Sequence, residues 1–250
     1  MQCRVDEIAP DIFRLSTFRD DMGMQFNQFL VVDDEPMLIH TGFRTMFDTT
    51  IEGVRQIIDP ATLRWIGYSH FEADECGALN EWLEQAPAAQ PLCGVVGAIV
   101  NLADYADRPP RVLEDDATMT IGRHRLRYLA TPHVPHGWDA GMYLDETGQT
   151  LFCSDLFFQP GDPGPLGDRS LVDEARAAVL AGRESPLAHD VPYTAQTRTT
   201  LERLAGLRPT TLAIMHGSSL RGDGSAALLA LADIYEEVLG GHRPGLAAGG

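Results

Sequence analysis

Within Ser69 to Gly77, one imidazole and three carboxylates (His70, Glu72, Asp74 and Glu75) fall inside six residues. They follow an apolar run, Leu63 to Tyr68, whose composition predicts a buried strand. In an extended chain alternate residues project to one side, so His70, Glu72 and Asp74 are expected to point into one cavity. Burying that much charge is costly unless something compensates it, and a divalent metal suits imidazole and carboxylate donors together. Three later segments repeat the pattern of a polar residue just past an apolar strand: Ala130 to Gly137, Leu151 to Leu156, and Ile214 to Gly217. They add His133, Asp155 and His216. Taken singly, Asp74 reads equally well as a helix N-cap, His70 or His216 as a core histidine, and Asp155 as a turn residue. Taken as an ordered set, His70, Glu72, Asp74, His133, Asp155 and His216 are expected to be metal ligands.

Other side chains nearby have supporting roles or none. His136 lies three residues after His133 with a proline between them, so the local chain is not helical and His136 is expected to line the pocket or back a ligand. His40 ends the strand Met37 to His40 and reads either as a partner beneath the site or as a structural strand end. Trp138, Phe71, Phe157 and Tyr193 could wall an apolar pocket, although aromatics in loops more often simply pack. Cys76 and Cys153 flank proposed ligands but face away on strict alternation, which makes them small buried apolar residues.

The whole chain narrows the chemistry further. A net charge of −17 argues against nucleic acid and anionic membrane surfaces as partners. All 19 basic residues are Arg, which excludes lysine Schiff bases and lysine phosphate loops. The four cysteines have no C-x-x-C spacing, no signal-peptide core precedes Asp6, and no apolar run is long enough to span a bilayer, so a reduced cytoplasmic setting is expected.

The elements that must position these groups alternate in type. Strands are expected at Ile12 to Phe18, Phe26 to Val32 and Met37 to His40, then a helix over Thr45 to Ile58 ended by Asp59-Pro60. After the polar cluster come a helix through Ala78 to Glu84 and a strand–helix pair near Pro91 to Tyr105. Short strands follow at Met119 to Ile121, Arg125 to Leu129, Met142 to Leu144 and Leu151 to Ser154. Helices over Ser170 to Ala181 and Thr194 to Leu204, a strand Thr211 to Met215 and an amphipathic helix Ala226 to Leu239 complete the chain. No linker divides residues 1–250, so one domain is expected, with residues 240–250 as a frayed tail. Both halves pass from strands to strand–helix units, which fits two similar α/β halves facing each other.

At the level of motifs, the chain resembles the metallo-β-lactamase superfamily. That superfamily begins its site with H-x-H-x-D-H, where this chain has H-x-E-x-D-E (His70 to Glu75), followed by a His, an Asp and a His. Glu72 in place of the second His is the pattern of the diiron branch. Thr131 to Met142, Leu151 to Phe157 and Met215 to Ser219 are similar to the oxygen-binding diiron group in particular. The resemblance runs from about Ile12 to Leu239 and implies an α/β fold, the four-layer αβ/βα sandwich of that superfamily. It implies two iron ions (zinc or manganese being the alternative), with His70, Glu72 and His133 on one, Asp74 and His216 on the other, and Asp155 bridging.

A set of two His and one carboxylate suits Fe(II) with open positions, whereas zinc prefers N- and S-rich tetrahedra. Glu75 departs from the family pattern, where His is usual; it reads as a seventh ligand, as an acceptor behind a ligating His, or as an acidic residue at a helix start. The expected activity is binding of O2, or also NO, to sense or to reduce it. No flavin domain is expected in this chain, so turnover would need an external electron donor, and a homodimer is an open expectation. The alternative is a dinuclear hydrolase of an ester, lactone or phosphodiester.

Overall fold

Alternation of inward and outward side chains builds the first sheet. In the strand Met24–Val31, Phe29 and Val31 face one core while Leu30 between them faces another, and in Met37–Ile39 the residues Met37 and Ile39 are divided from Leu38 in the same way. A strand buried on both faces reads as an unbroken apolar run, which is what Met37–Ile39 and Trp65–Gly67 display. The computed structural model describes residues 1–168 and 170–241, so residues 242–250 of the expected tail lie outside it.

Seven strands form this first sheet in chain order: Cys3–Ala9, Ile12–Arg19, Met24–Val31, Met37–Ile39, Trp65–Gly67, Gln90–Gly94 and Arg111–Leu113. The first four pair antiparallel and the last three join in parallel. The second sheet runs, in spatial order, Leu166–Gly167, Ser219–Arg221, Thr211–Ala213, Thr150–Phe152, Gly141–Asp145, Arg125–Ala130 and Thr118–Thr120.

Three apolar clusters define the layers. Between the sheets lie Ile8, Ile12, Phe29, Ile39, Leu92, Tyr143 and Phe152. The outer face of the first sheet packs Leu15, Leu30 and Ile66 against Ile51 and Val54 of the helix Phe47–Arg55 and against Leu79 and Trp82 of Leu79–Gln85. The outer face of the second buries Leu144, Leu151 and Leu212 under Ser170–Gly182, Thr197–Gly206 and Gly224–Val238. Helix, sheet, sheet, helix is a four-layer αβ/βα sandwich, the expected fold class.

The chain closes one edge of this sandwich by reaching from sheet to sheet. Asn27 donates its amide to the carbonyls of Ile214 (2.9 Å) and Gly217 (2.8 Å), and its backbone N–H bonds Met215 O at 2.9 Å. Gly141 N–H bonds Ser69 O at 2.8 Å. These contacts bring the ends of Trp65–Gly67, Thr150–Phe152 and Thr211–Ala213 to one rim, where an α/β architecture places its sites.

Candidate metal centre

His70 follows the strand Trp65–Gly67 after two residues, and the chain then bends instead of staying extended. Glu72 is the last extended residue (φ −132°, ψ 159°) and Asp74 and Glu75 sit in the helical turn Ala73–Cys76. The expectation of one extended segment with three side chains on a side is therefore corrected. A bend followed by a turn of helix still brings Glu72 and Asp74 to the centre, but it sends Glu75 back into the interior. Asp155 lies beyond Thr150–Phe152, and His216 beyond Thr211–Ala213. Gly217 (φ +126°) makes the sharp exit after His216; a Cβ there would lie 2.6 to 2.7 Å from atoms of Gln159.

These residues converge on Asp155. Its Oδ2 lies 3.4 Å from His70 Nε2 and 3.2 Å from His136 Nε2, while its Oδ1 lies 3.0 Å from His216 Nε2. Glu72 Oε1 joins the first group, 3.3 Å from His136 Nε2 and 3.7 Å from His70 Nε2. Asp74 Oδ2 joins the second, 3.5 Å from His216 Nε2. The two groups meet only through the two oxygens of one carboxylate. Glu72 is half exposed, so the centre opens to solvent on its side, while His70 and His216 are buried.

The far edge of each buried ring is tied down. His216 Nδ1 is 2.8 Å from Gln25 O, a carbonyl that can only accept, so Nδ1 keeps a proton and Nε2 is the nitrogen that would be freed for a metal. His70 Nδ1 meets the Ser69 hydroxyl at 3.1 Å, and that hydroxyl donates to Glu75 Oε1, so it can only accept from the ring; Glu75 Oε1 itself lies 3.2 Å from Nδ1, and together they put the proton on the same nitrogen. His70 Nε2 and His136 Nε2 stand 2.7 Å apart. Two nitrogens that close need a shared proton or a cation between them. The ligand atoms of His70, Glu72 and His136 all lie within 4.8 Å of one another, close enough to hold a divalent ion, and His216, with Asp155 Oδ1 at 3.0 Å and Asp74 Oδ2 at 3.5 Å, offers a second, looser group of the same donor types.

Electrostatics agree. Burial pulls the His70 and His216 imidazoles down, but the carboxylates around them more than reverse it, and both are raised to about 10. Burial also opposes the charge on Asp155, yet its bonds to His136 and His216 hold it well below the carboxylate range. Protonated imidazoles thus hold the carboxylates together where metal cations would do so, and metal binding must displace those protons.

The loop after Arg125–Ala130 requires a correction. His133 is exposed, sits at φ +64° and has its backbone N–H on Gly137 O at 2.7 Å. That bond, with Val134 N–H on Thr131 O (2.8 Å), closes the loop so that His136, not His133, turns inward. Spacing names His133 as the ligand and His136 as a pocket residue; the loop reverses them at Gly137 (φ +77°), where an added Cβ would lie 3.2 Å from His70 Cβ. Asp139 pins the loop by accepting from Phe71 N–H (3.1 Å) and Asn101 Nδ2 (2.9 Å), a role the sequence alone did not disclose.

His40 lies beneath the centre, its Nε2 3.5 Å from Glu75 Oε1. Of the aromatics considered for the pocket, Trp138 is 60% exposed and Phe157 belongs to the outer core of the second sheet. Phe26 and Phe158, edge-on to His216 at 5.1 and 5.7 Å, supply the apolar wall there instead. Cys76 and Cys153 are buried free thiols that burial pushes well up, as expected of packing residues.

Fold and rim together define a metallo-β-lactamase-type sandwich of the flavodiiron-like branch. Residues 24–217 match the model described as "ODP family beta lactamase", and the chain belongs to that family. It is 26% identical over 209 residues to rubredoxin-oxygen oxidoreductase from Megalodesulfovibrio gigas, covering 80% of this chain and 50% of that protein. It is also 26% identical over 171 residues to a nitric oxide reductase from Moorella thermoacetica, covering 63% of this chain and 42% of the relative. The chain thus spans about half the length of these curated relatives. The Flv1 flavodiiron core from Synechocystis, solved after metal soaking, superposes with a TM-score of 0.76 at 22% identity, covering 96% of this chain and 61% of that one. Among the described residues, no helix is long and apolar enough to cross a membrane.

Proposed function

We propose that this chain is a non-haem diiron protein that binds dioxygen and takes part in reducing dioxygen or nitric oxide. The observation that carries the reading is the division of Asp155, with Oδ2 on the His70, His136 and Glu72 side and Oδ1 on the His216 and Asp74 side. Asp155 would therefore help to hold a metal on either side. Three carboxylates with three imidazoles suit iron better than zinc, whose sites favour nitrogen and sulfur. The relatives named for oxygen and nitric oxide reduction support the same class of chemistry for this chain.

When bound, two ferrous ions would supply open coordination positions and electrons to a small diatomic ligand. His70, His136, Glu72 and Asp155 would hold one ion, and Asp74, His216 and Asp155 the other. Gln25 O and Glu75 keep His216 and His70 in the tautomer that offers Nε2. Phe26 and Phe158 exclude water on the His216 side, while the half-exposed Glu72 marks the way in. Reduction needs electrons from a donor outside the centre.

The test is consumption of O2 and of NO by iron-loaded protein supplied with a reduced flavin or rubredoxin. Uptake above the metal-free control is expected. No uptake of either gas, together with hydrolysis of ester or lactone substrates by zinc-loaded protein, would replace this reading with a dinuclear hydrolase.

A further inference from the structure

We infer that the two metal positions are unequal, and that Glu75 makes them so by serving as an interior anchor for His70 and not as a ligand. The inference rests on the proposed dinuclear site and concerns what this chain has done with the last residue of its first motif.

Glu75 is fully committed. Its Oε2 accepts the backbone N–H groups of Ser69 and His70, both at 2.8 Å. Its Oε1 accepts the hydroxyls of Ser69 (3.0 Å) and Ser154 (2.6 Å) and lies 3.2 Å from His70 Nδ1 and 3.5 Å from His40 Nε2. The side chain is 1% exposed. A carboxylate has about four lone-pair sites, and four donors already occupy them before either imidazole is counted. Turning Glu75 toward a metal would strand two backbone N–H groups and two hydroxyls in the interior, each costing about 1–3 kcal/mol.

Geometry points the same way. Glu75, His70 and Asp155 each present an atom within 4.8 Å of the others. Yet Glu75 meets His70 at Nδ1 and Asp155 meets it at Nε2, on opposite edges of the ring. Glu75 therefore lies behind the imidazole as seen from the metal side. It belongs structurally to the first position, because the ring it orients is a first-position donor.

The donor count follows. Among the described residues, the first position has His70, His136, Glu72 and a share of Asp155, and the second has His216, Asp74 and the other oxygen of Asp155. Two imidazoles, one of them braced by a buried carboxylate, face a single imidazole held by a backbone carbonyl. The first position should fill first and hold its ion tightly, and the second should fill later and exchange readily.

The experiment is equilibrium dialysis of the metal-free chain against Co(II) near neutral pH, with visible spectra recorded at each point. Two uptake steps separated tenfold or more are expected. Glu75→Gln should weaken the first step by about 10–100-fold, the cost of removing a partner behind a ligand, and leave the second in place. His216→Ala should delete the second step alone. Coincident steps in the unmodified chain would overturn the inference even if Glu75→Gln fails to fold. So would a Glu75→Gln protein that loses the second step and keeps the first, as a true ligand of that position would require. If the unmodified chain takes up no Co(II), the dinuclear reading itself falls.

Discussion

Replacing His136 and His133 in turn tests the proposed ligand against its neighbour three residues away. His136 Nε2 lies within 3.3 Å of both Glu72 and Asp155 and 2.7 Å from His70 Nε2, so His136→Ala removes one of two imidazoles from the first position. Outer partners of a ligand are worth about 10–100-fold in metal affinity, so loss of a ligand itself should reach or exceed the upper figure, at least about 2.7 kcal/mol. His133 is exposed at φ +64°, and its backbone N–H makes the bond that shapes the loop. Asn tolerates that conformation and keeps the N–H, so His133→Asn should change stability by less than about 0.5 kcal/mol. The assay is anaerobic competition for Fe(II) against a coloured chelator, with circular dichroism to confirm folding. His136→Ala should surrender iron at chelator concentrations that leave the parent and His133→Asn loaded. Loss of iron by His133→Asn with retention by His136→Ala would refute the loop geometry and restore the reading suggested by spacing alone.

Three further outcomes follow from the same contacts. Asn27→Ala leaves the carbonyl of Ile214 without its amide partner and removes one from Gly217, and should cost about 1–3 kcal/mol, read as a fall of several degrees in Tm, while weakening the second Co(II) step more than the first. Gly217→Ala drives a Cβ into Gln159 at a positive φ; thermal melts should show a loss of about 1–3 kcal/mol, and iron uptake should fall as His216 is displaced, whereas a fully loaded, unchanged protein would contradict the tight exit turn. Asp33 accepts from His124 N–H (2.7 Å) and Asp34 N–H (2.9 Å); burial raises its pKa, but these bonds win and hold it below the usual value. Its stabilisation is therefore present above the ordinary carboxylate pKa and lost as pH falls through the folded value, so Asp33→Asn should lower Tm at pH 7 by an amount that shrinks below about pH 4.

Much of the sandwich was legible because it is written in period two and in uninterrupted apolar runs. Ile12–Arg19, Met24–Val31 and Arg125–Ala130 fall within a residue or two of where alternation places them. Cys3–Ala9 escaped notice because Arg4, Asp6 and Glu7 give an edge strand the look of a polar leader. Leu166–Gly167 is two residues long and exists only through its pairing with Ser219–Arg221, which no local pattern records. At the centre, spacing picked out His70, Glu72, Asp74, Asp155 and His216, which the fold brings together, but it took His133 for the third histidine where the loop turns His136 inward. That reversal depends on a hydrogen bond from His133 to Gly137, a property of the folded loop and not of residue types. Glu75 was ambiguous for a related reason. Whether a carboxylate after Asp74 faces metal or interior depends on the backbone turning helical at Ala73, and on Ser69, Ser154 and His40 waiting beneath it.

Dioxygen binding at a two-iron centre held by these residues is the proposed activity. It is tested most directly by loading the metal-free chain with Fe(II) without oxygen, counting the iron retained, and recording the visible spectrum as O2 is admitted. Two irons per chain and a new charge-transfer band on exposure to O2 are expected. A chain that holds two zincs in preference to iron, develops no band and hydrolyses an ester or lactone would contradict that proposal.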